Sequence, residues 1–301
     1  MSKTSDEIGI RDCFVQHLDS GERIQAHLLV TEEAWRIKRE FTDAAFPTVE
    51  PIDYAAIQTR LKKYLDLTAP LLELIALGCF GGDQKMASSW TGIIEFISEY
   101  PRSLCQDNTN LKRLRAYPTL LLAYAGGVAA IAGNNHEVLA ALLYRTRIMN
   151  IRTDEENALA QNLYPDEIIE SRFAQGILSE EPEPRDLNGH LYRVIRPALQ
   201  HLIPSERRYQ EVFDRFEAYL ALAHADIKYQ AQNKSIRWVP LENFHRHRNN
   251  QPSVWETIKA EADFEGEDWP PLRAGLFRGS SEYFNLLKSG IDQLVSQSGL
   301  Y

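Results

Sequence analysis

Apolar residues recur every three or four positions along almost the whole chain, which is the spacing of the buried face of an amphipathic helix. Alternating runs of β-branched residues, which indicate strands, are nearly missing. The pattern predicts an all-α fold, either an irregular multi-helix bundle or a solenoid-like helical array, with at most one short β element near 236–239. The first predicted helix begins at Thr4. Further helices are predicted over 22–41, 52–67, 71–81, 84–100, 110–117, 118–133, 136–149, 153–163, 165–175, 191–202, 205–232, 254–264 and 281–296.

Caps and prolines set several of these boundaries. Thr4 with Glu7 and Thr153 with Glu156 have the spacing of a capping box, in which each side chain satisfies a free backbone N–H at a helix start. Pro70 divides the predicted helices 52–67 and 71–81, because the residue before a proline is pushed out of the helical region. In the helix over 22–41, the candidate core positions are Ile24, Leu28, Trp35 and Phe41.

One predicted helix is apolar on every side. Residues 116–133 carry no charge, which is also the lower limit of length for a membrane span. Pro118, the pair Gly126-Gly127 and the preponderance of alanine favour the central buried helix of a large α-domain. We expect the two glycines to permit close approach of a neighbouring helix.

The segment 179–189 reads SEEPEPRDLNG and has the composition of a linker, with two prolines and four acidic residues. We therefore predict an N-terminal helical subdomain over 1–178 and a C-terminal helical subdomain over 190–301. No self-similar period with fixed signature residues supports a regular repeat array, so a bundle is favoured.

Charge and cysteine content narrow the functional classes. The 301 residues carry a formal net charge of −9, so attraction of nucleic acid over the whole surface is excluded and any such contact must be local. The three cysteines form no Cys-x-x-Cys pair, which argues against a disulfide framework or a zinc ribbon. A cytoplasmic protein without a secretory signal or a membrane span is expected.

Searches for catalytic motifs give no candidate. The glycines near Gly133 are followed by no lysine with Ser or Thr, so a P-loop is rejected, and there is no nucleophile elbow and no His-Glu-x-x-His pair. His245-x-His247 has a spacing that can chelate a metal, but no third and fourth ligand accompany it, and a polar surface loop is the competing interpretation. We expect no catalytic residue, no metal and no cofactor.

A basic and aromatic segment over 234–248 is the main candidate for ligand binding. Guanidinium groups beside aromatic rings suit single-stranded nucleic acid or a nucleotide, through phosphate contact and stacking. The same residues are equally typical of a flap that covers helices. The candidate residues are Arg237, Trp238, Phe244, His245, Arg246, His247 and Arg248.

Arg193 and Arg196 stand one turn apart on a predicted helix, where they can gather an anionic ligand between the subdomains. The alternative is that they pair with acidic residues at Asp166, Glu167 and Glu170. The sequence does not distinguish ligand binding by the two arginines from ion pairs with these acidic residues.

Three stretches of the sequence resemble parts of known proteins. They are LRAYPTLLLAYAGGVAAIAGNNHEVLAALL at 114–143, YQEVFDRFEAYLALAHADIK at 209–228 with RWVPLENFHRHR at 237–248, and LRAGLFRGSSEYFNLLKSGID at 272–292. They resemble the helical C-terminal region of bacterial multidomain proteins whose N-terminal modules are sirtuin-like, TIR-like or Schlafen-type. Several of those proteins are associated with antiphage defence. The likeness covers roughly 65–295, and no trace of an effector module precedes it here.

The resemblance implies a sensing, scaffolding or regulatory part rather than an enzyme. Our first hypothesis is a non-enzymatic helical protein that binds a partner protein or self-associates, in bacterial antiphage defence. The alternative is a nucleic-acid- or nucleotide-binding helical protein that uses 234–248.

Overall fold

The computed structural model describes residues 9–47, 53–81, 84–99, 109–150, 155–163, 168–169, 187–231 and 253–298. Of these residues 82% are helical, and the only sheet among them has two short strands, which confirms the all-α class. The α-helices are α1 (Ile10–Asp19), α2 (Arg23–Glu40), α3 (Tyr54–Gly81), α4 (Ala87–Ser98), α5 (Thr109–Leu114), α6 (Tyr117–Ala132), α7 (His136–Ala140), α8 (Leu159–Asn162), α9 (Leu187–Leu199), α10 (Glu206–Ala231), α11 (Val254–Glu265), α12 (Pro270–Arg273) and α13 (Ser281–Ser298).

Helix α6 lies at the centre of the fold, as its uniformly apolar sequence predicts. Its side chains from Tyr117 to Ile131 are all buried, and α3, α4, α9 and α10 pack around it. Gly127 brings α10 so close that a Cβ atom at this position would lie 2.0 Å from the ring of Phe216. Gly126 likewise lets α3 approach α6, because a Cβ atom at this position would lie 3.2 Å from the side chains of Ile75 and Cys79. The expected close approach at the two glycines is confirmed.

Two stretches of the described chain are long and apolar enough to cross a membrane by length and composition, Ala55–Gly81 and Leu111–Ala132. In the fold, 56% of the most apolar window of the first and 100% of that of the second are buried. This is the burial of core helices, while the expected absence of a membrane contact stays a prediction.

Helix α3 is continuous where the sequence predicts two helices, so the expected break before Pro70 is wrong. The packing of Leu71, Leu74 and Ile75 along α6 stabilises the helical path on both sides of the proline. A side chain near the proline also bonds to a backbone carbonyl group: the Thr68 hydroxyl donates a hydrogen bond to the Tyr64 backbone oxygen at 2.8 Å. Tertiary burial therefore outweighs the lost backbone hydrogen bond.

A second correction concerns 136–163, which was expected to be helical apart from a short turn. Helix α7 continues into a π-helical turn, Ala141–Arg145, and then into strand β1 (Arg147–Met149). Strand β2 (Glu156–Ala158) pairs with it antiparallel, with Ile148 opposite Asn157. Strands this short have no periodicity that a sequence pattern can detect, and the strand expected at 236–239 falls outside the described residues.

The long helix α10 buries all six residues that the sequence places on its core face, Tyr209, Phe213, Phe216, Tyr219, Leu220 and Ala223. Helix α11 begins with a capping box between Ser253 and Glu256 and packs on α10. The Trp255 indole donates to Asp292 of α13 at 2.9 Å, which ties these two helices together.

Helices on both sides of the proposed linker share one hydrophobic cluster. Helices α9 and α10 pack against α6, and α9 also packs against α3. Residues 187–189 of the proposed linker belong to α9, and 179–186 lie outside the described residues. The division into two subdomains stays a prediction.

Candidate functional site

Helix α2 leaves three large apolar side chains exposed along one face. Ile24 is 72% exposed, Leu28 51% and Trp35 54%. Their spacings of four and seven residues place them on a single stripe of the helix, which we call the α2 stripe. Isolated exposed apolar residues are ordinary on protein surfaces, but an aligned set of this size is typical of an interaction site.

The opposite face of α2 explains this exposure. Ala26, Val30, Ala34 and Ile37 are fully buried there, and the two alanines let the helix lie close to its neighbours. Both faces of α2 carry apolar residues at helical spacing, so periodicity alone does not show which face is buried. Phe41 is buried as predicted, whereas the core positions predicted at Ile24, Leu28 and Trp35 are wrong.

Trp35 is held in place although half of it is exposed. Its ring meets Phe96 of α4 edge-on, with 4.8 Å between the ring centroids. The Lys38 ammonium group lies 4.9 Å from the centroid of the same Phe96 ring and donates to the backbone oxygen of Glu99. An aromatic side chain that is already fixed loses little conformational entropy when a partner covers it, which suits a binding anchor.

Two polar residues separate Leu28 from Trp35 along the stripe. The two apolar residues are two helical turns apart, or about 10 Å along the axis. Between them lie Thr31, whose hydroxyl donates back to the His27 backbone oxygen at 2.8 Å, and Glu32, which is exposed. Glu32 follows Leu28 by four residues and precedes Trp35 by three, so a carboxylate borders the stripe between its two larger members.

The end of α2 next to Trp35 carries charges of both signs. Arg36 pairs with Glu33 at 2.6 Å, and Arg39 is exposed without an ion pair to the residues that the structure describes. Both arginines border an open cleft of about 540 Å³, on whose far side Lys63 of α3 donates to the Ala45 oxygen at 2.7 Å. Glu40 and Asp66 line the same cleft, which therefore presents both cations and anions.

The end of α11 is exposed and acidic. Phe264, in the last turn, is 91% exposed. The exposed acidic residues around it are Asp263, Glu265, Glu267 and Asp268. We call Phe264 with these four residues the acidic knob.

The described members of the predicted ligand set are Arg193 and Arg196. The Arg196 guanidinium donates to the backbone oxygens of Ile203 and Pro204 and lies 4.4 Å from the Tyr209 ring centroid. Its ion pair is with Glu206 at 3.3 Å. Arg193 donates to the Gly189 oxygen at 3.4 Å, and burial lowers its pKa. Arg196 thus closes the turn between α9 and α10, and ligand binding by the pair stays a prediction.

The other predicted ligand-binding residues lie outside the described residues, so their placement and the nucleic-acid hypothesis stay predictions. They are Arg237, Trp238, Phe244, His245, Arg246, His247 and Arg248. The acidic partners considered for the arginine pair, Asp166, Glu167 and Glu170, lie there too.

Three buried titratable groups in the described part form contacts between helices. His190 is hydrogen-bonded to the Tyr117 hydroxyl at 2.8 Å, and burial lowers its pKa to about 4. Burial also lowers the pKa of His224 to about 4, although its ring nitrogen is 3.2 Å from the Ala160 oxygen. Asp226 accepts a hydrogen bond from the Tyr283 hydroxyl at 2.7 Å. These pairs join neighbouring helices.

Two observations bear on nucleophilic and metal chemistry in the described part of the molecule. Burial raises the pKa of the Cys79 thiol to about 12, so it stays protonated and unreactive. Within the described residues, no three His, Cys, Asp or Glu side chains gather in a way that could hold a metal ion.

Sequence reasoning missed both surfaces. It placed the α2 stripe in the core, and it noted the acidic loop after 264 without connecting it to the exposed Phe264. The acidic residues on either side of Phe264 are a signal that could have excluded it from the core, because charged side chains are seldom fully buried without a partner.

Comparison with known proteins leaves these surfaces as the basis for any functional argument. No protein-family model matches the chain, and neither a curated protein nor a solved structure shows a significant match to it.

Proposed function

We propose that this chain is a non-enzymatic helical sensor, scaffold or regulatory protein that binds a partner protein through the α2 stripe. The observation that carries the proposal is the alignment of Ile24, Leu28 and Trp35 on one exposed face. A helix face of this kind binds partners by inserting or receiving apolar side chains, and tryptophan is the residue most often found at the energetic centre of such contacts.

The surroundings of the stripe define the chemistry of the partner. Leu28 and Trp35 offer exposed apolar surface, and the charges beside Trp35 have both signs, because Glu33 and Glu40 pair with Arg36. A partner with an apolar face and few charges is complementary to this surface. Nucleic acid fits less well, because Glu33 and Glu40 pair with Arg36 and would repel phosphate.

Bacterial antiphage defence is the setting we propose for this binding. It is supported by the resemblance of 114–143, 209–228 and 272–292 to the helical regions of defence proteins. The chain then acts as the sensing or scaffolding part, beside an effector that carries the chemistry.

The test compares two leucines with the same exposure. Leu28 in the stripe is 51% exposed, and Leu286 on α13 is 53% exposed. Tagged wild-type chain, Leu28→Ser and Leu286→Ser are expressed in cells that hold the native neighbouring genes, and captured proteins are quantified by mass spectrometry. We expect a specific protein that Leu28→Ser loses about tenfold and Leu286→Ser retains.

Equal capture by both variants contradicts the proposal, because each substitution removes the same exposed apolar side chain. An independent assay addresses the non-enzymatic part: purified chain is incubated with NAD and with ATP, and we expect no consumption of either. Turnover of either compound would overturn that part.

A further inference from the structure

We draw no further inference here: the strongest candidate, the acidic knob around the exposed Phe264 at the end of α11, carries nothing beyond the proposed function, because Asp263 and Glu267 are already bonded to Lys288 and Ser281 and nothing in the described part of the chain shows what covers the ring.

Discussion

Replacing Gly127 by alanine tests the packing at the centre of the fold. The new Cβ atom would lie 2.0 Å from one carbon of the Phe216 ring and 2.4 Å from another. Carbon atoms in contact prefer about 3.5–4.0 Å, so the ring or the helix must move by roughly 1.5 Å. Phe216 is fully buried and meets Tyr124 edge-on at 5.0 Å between centroids, which leaves it little room.

The expected cost follows from two opposing terms. Overpacking of a filled core costs about 1–3 kcal/mol or more, and a contact this short belongs at the upper end. Alanine recovers about 1 kcal/mol through its better helix propensity. We therefore expect Gly127→Ala to lower the free energy of unfolding by about 2 kcal/mol, measured as a shift of the midpoint in urea unfolding.

Gly92→Ala is the matched control. Gly92 also lies within a helix, α4, and a Cβ atom there would meet nothing within 4 Å. The same substitution should therefore stabilise the chain by about 0.5–1 kcal/mol. If Gly127→Ala is as stable as Gly92→Ala, α6 and α10 do not approach as closely as described and the reasoning is refuted.

Three further predictions concern titration, ligand binding and reactivity. The pKa values of His190 and His224 are lowered from 6.5 to about 4, so stability should fall as pH drops from 6.5 towards 4, by up to about 3 kcal/mol for each histidine. Urea midpoints measured at several pH values should show the loss, and His190→Gln should remove part of it. If 234–248 binds nucleic acid, Arg246→Ala with Arg248→Ala should weaken oligonucleotide binding and flatten its salt dependence, as measured by fluorescence anisotropy. Cys79, 1% exposed, should resist a thiol reagent until the chain unfolds, as shown by mass mapping of the labelled peptides.

The sign of the pH effect follows from proton uptake. Below pH 6.5 the unfolded chain protonates both imidazoles, whereas the folded chain keeps them neutral until about pH 4. Acid therefore favours unfolding within this window. Unchanged midpoints between pH 7 and about pH 4.5 would contradict the described burial of these rings.

The core of the fold was predictable from sequence where a helix has one apolar face or only apolar residues. The buried face of α10 and the all-round burial of α6 follow directly from residue spacing. Even the role of Gly126 and Gly127 follows, because glycine within a buried helix costs stability unless a neighbour comes close.

The rest of the fold depends on tertiary contacts that no local pattern contains. Pro70 predicts a break, but α6 stabilises α3 across it. Within the described residues, the strands at 147–149 and 156–158 pair only with each other, and they are too short to show alternation. At Pro70 the local signal is outweighed by packing. At the two strands the local sequence gives no signal, and packing decides the conformation.

The candidate site was missed for a related reason. In α2 the larger side chains were taken as core, whereas the fold buries the smaller ones and leaves Leu28 and Trp35 exposed. Because both faces of α2 carry apolar residues at helical spacing, the pattern alone does not show that the face with the smaller side chains packs into the core.

The most direct test of the central claim places a photo-reactive benzoylphenylalanine at position 28, in the α2 stripe, and at the equally exposed position 286 as the control. Each tagged chain is expressed in cells that hold the native neighbouring genes and is irradiated there, and its cross-linked products are identified by mass spectrometry. The account predicts a specific protein that is cross-linked through position 28 and not through position 286. Equal cross-linking through both positions, or none through position 28, would contradict it.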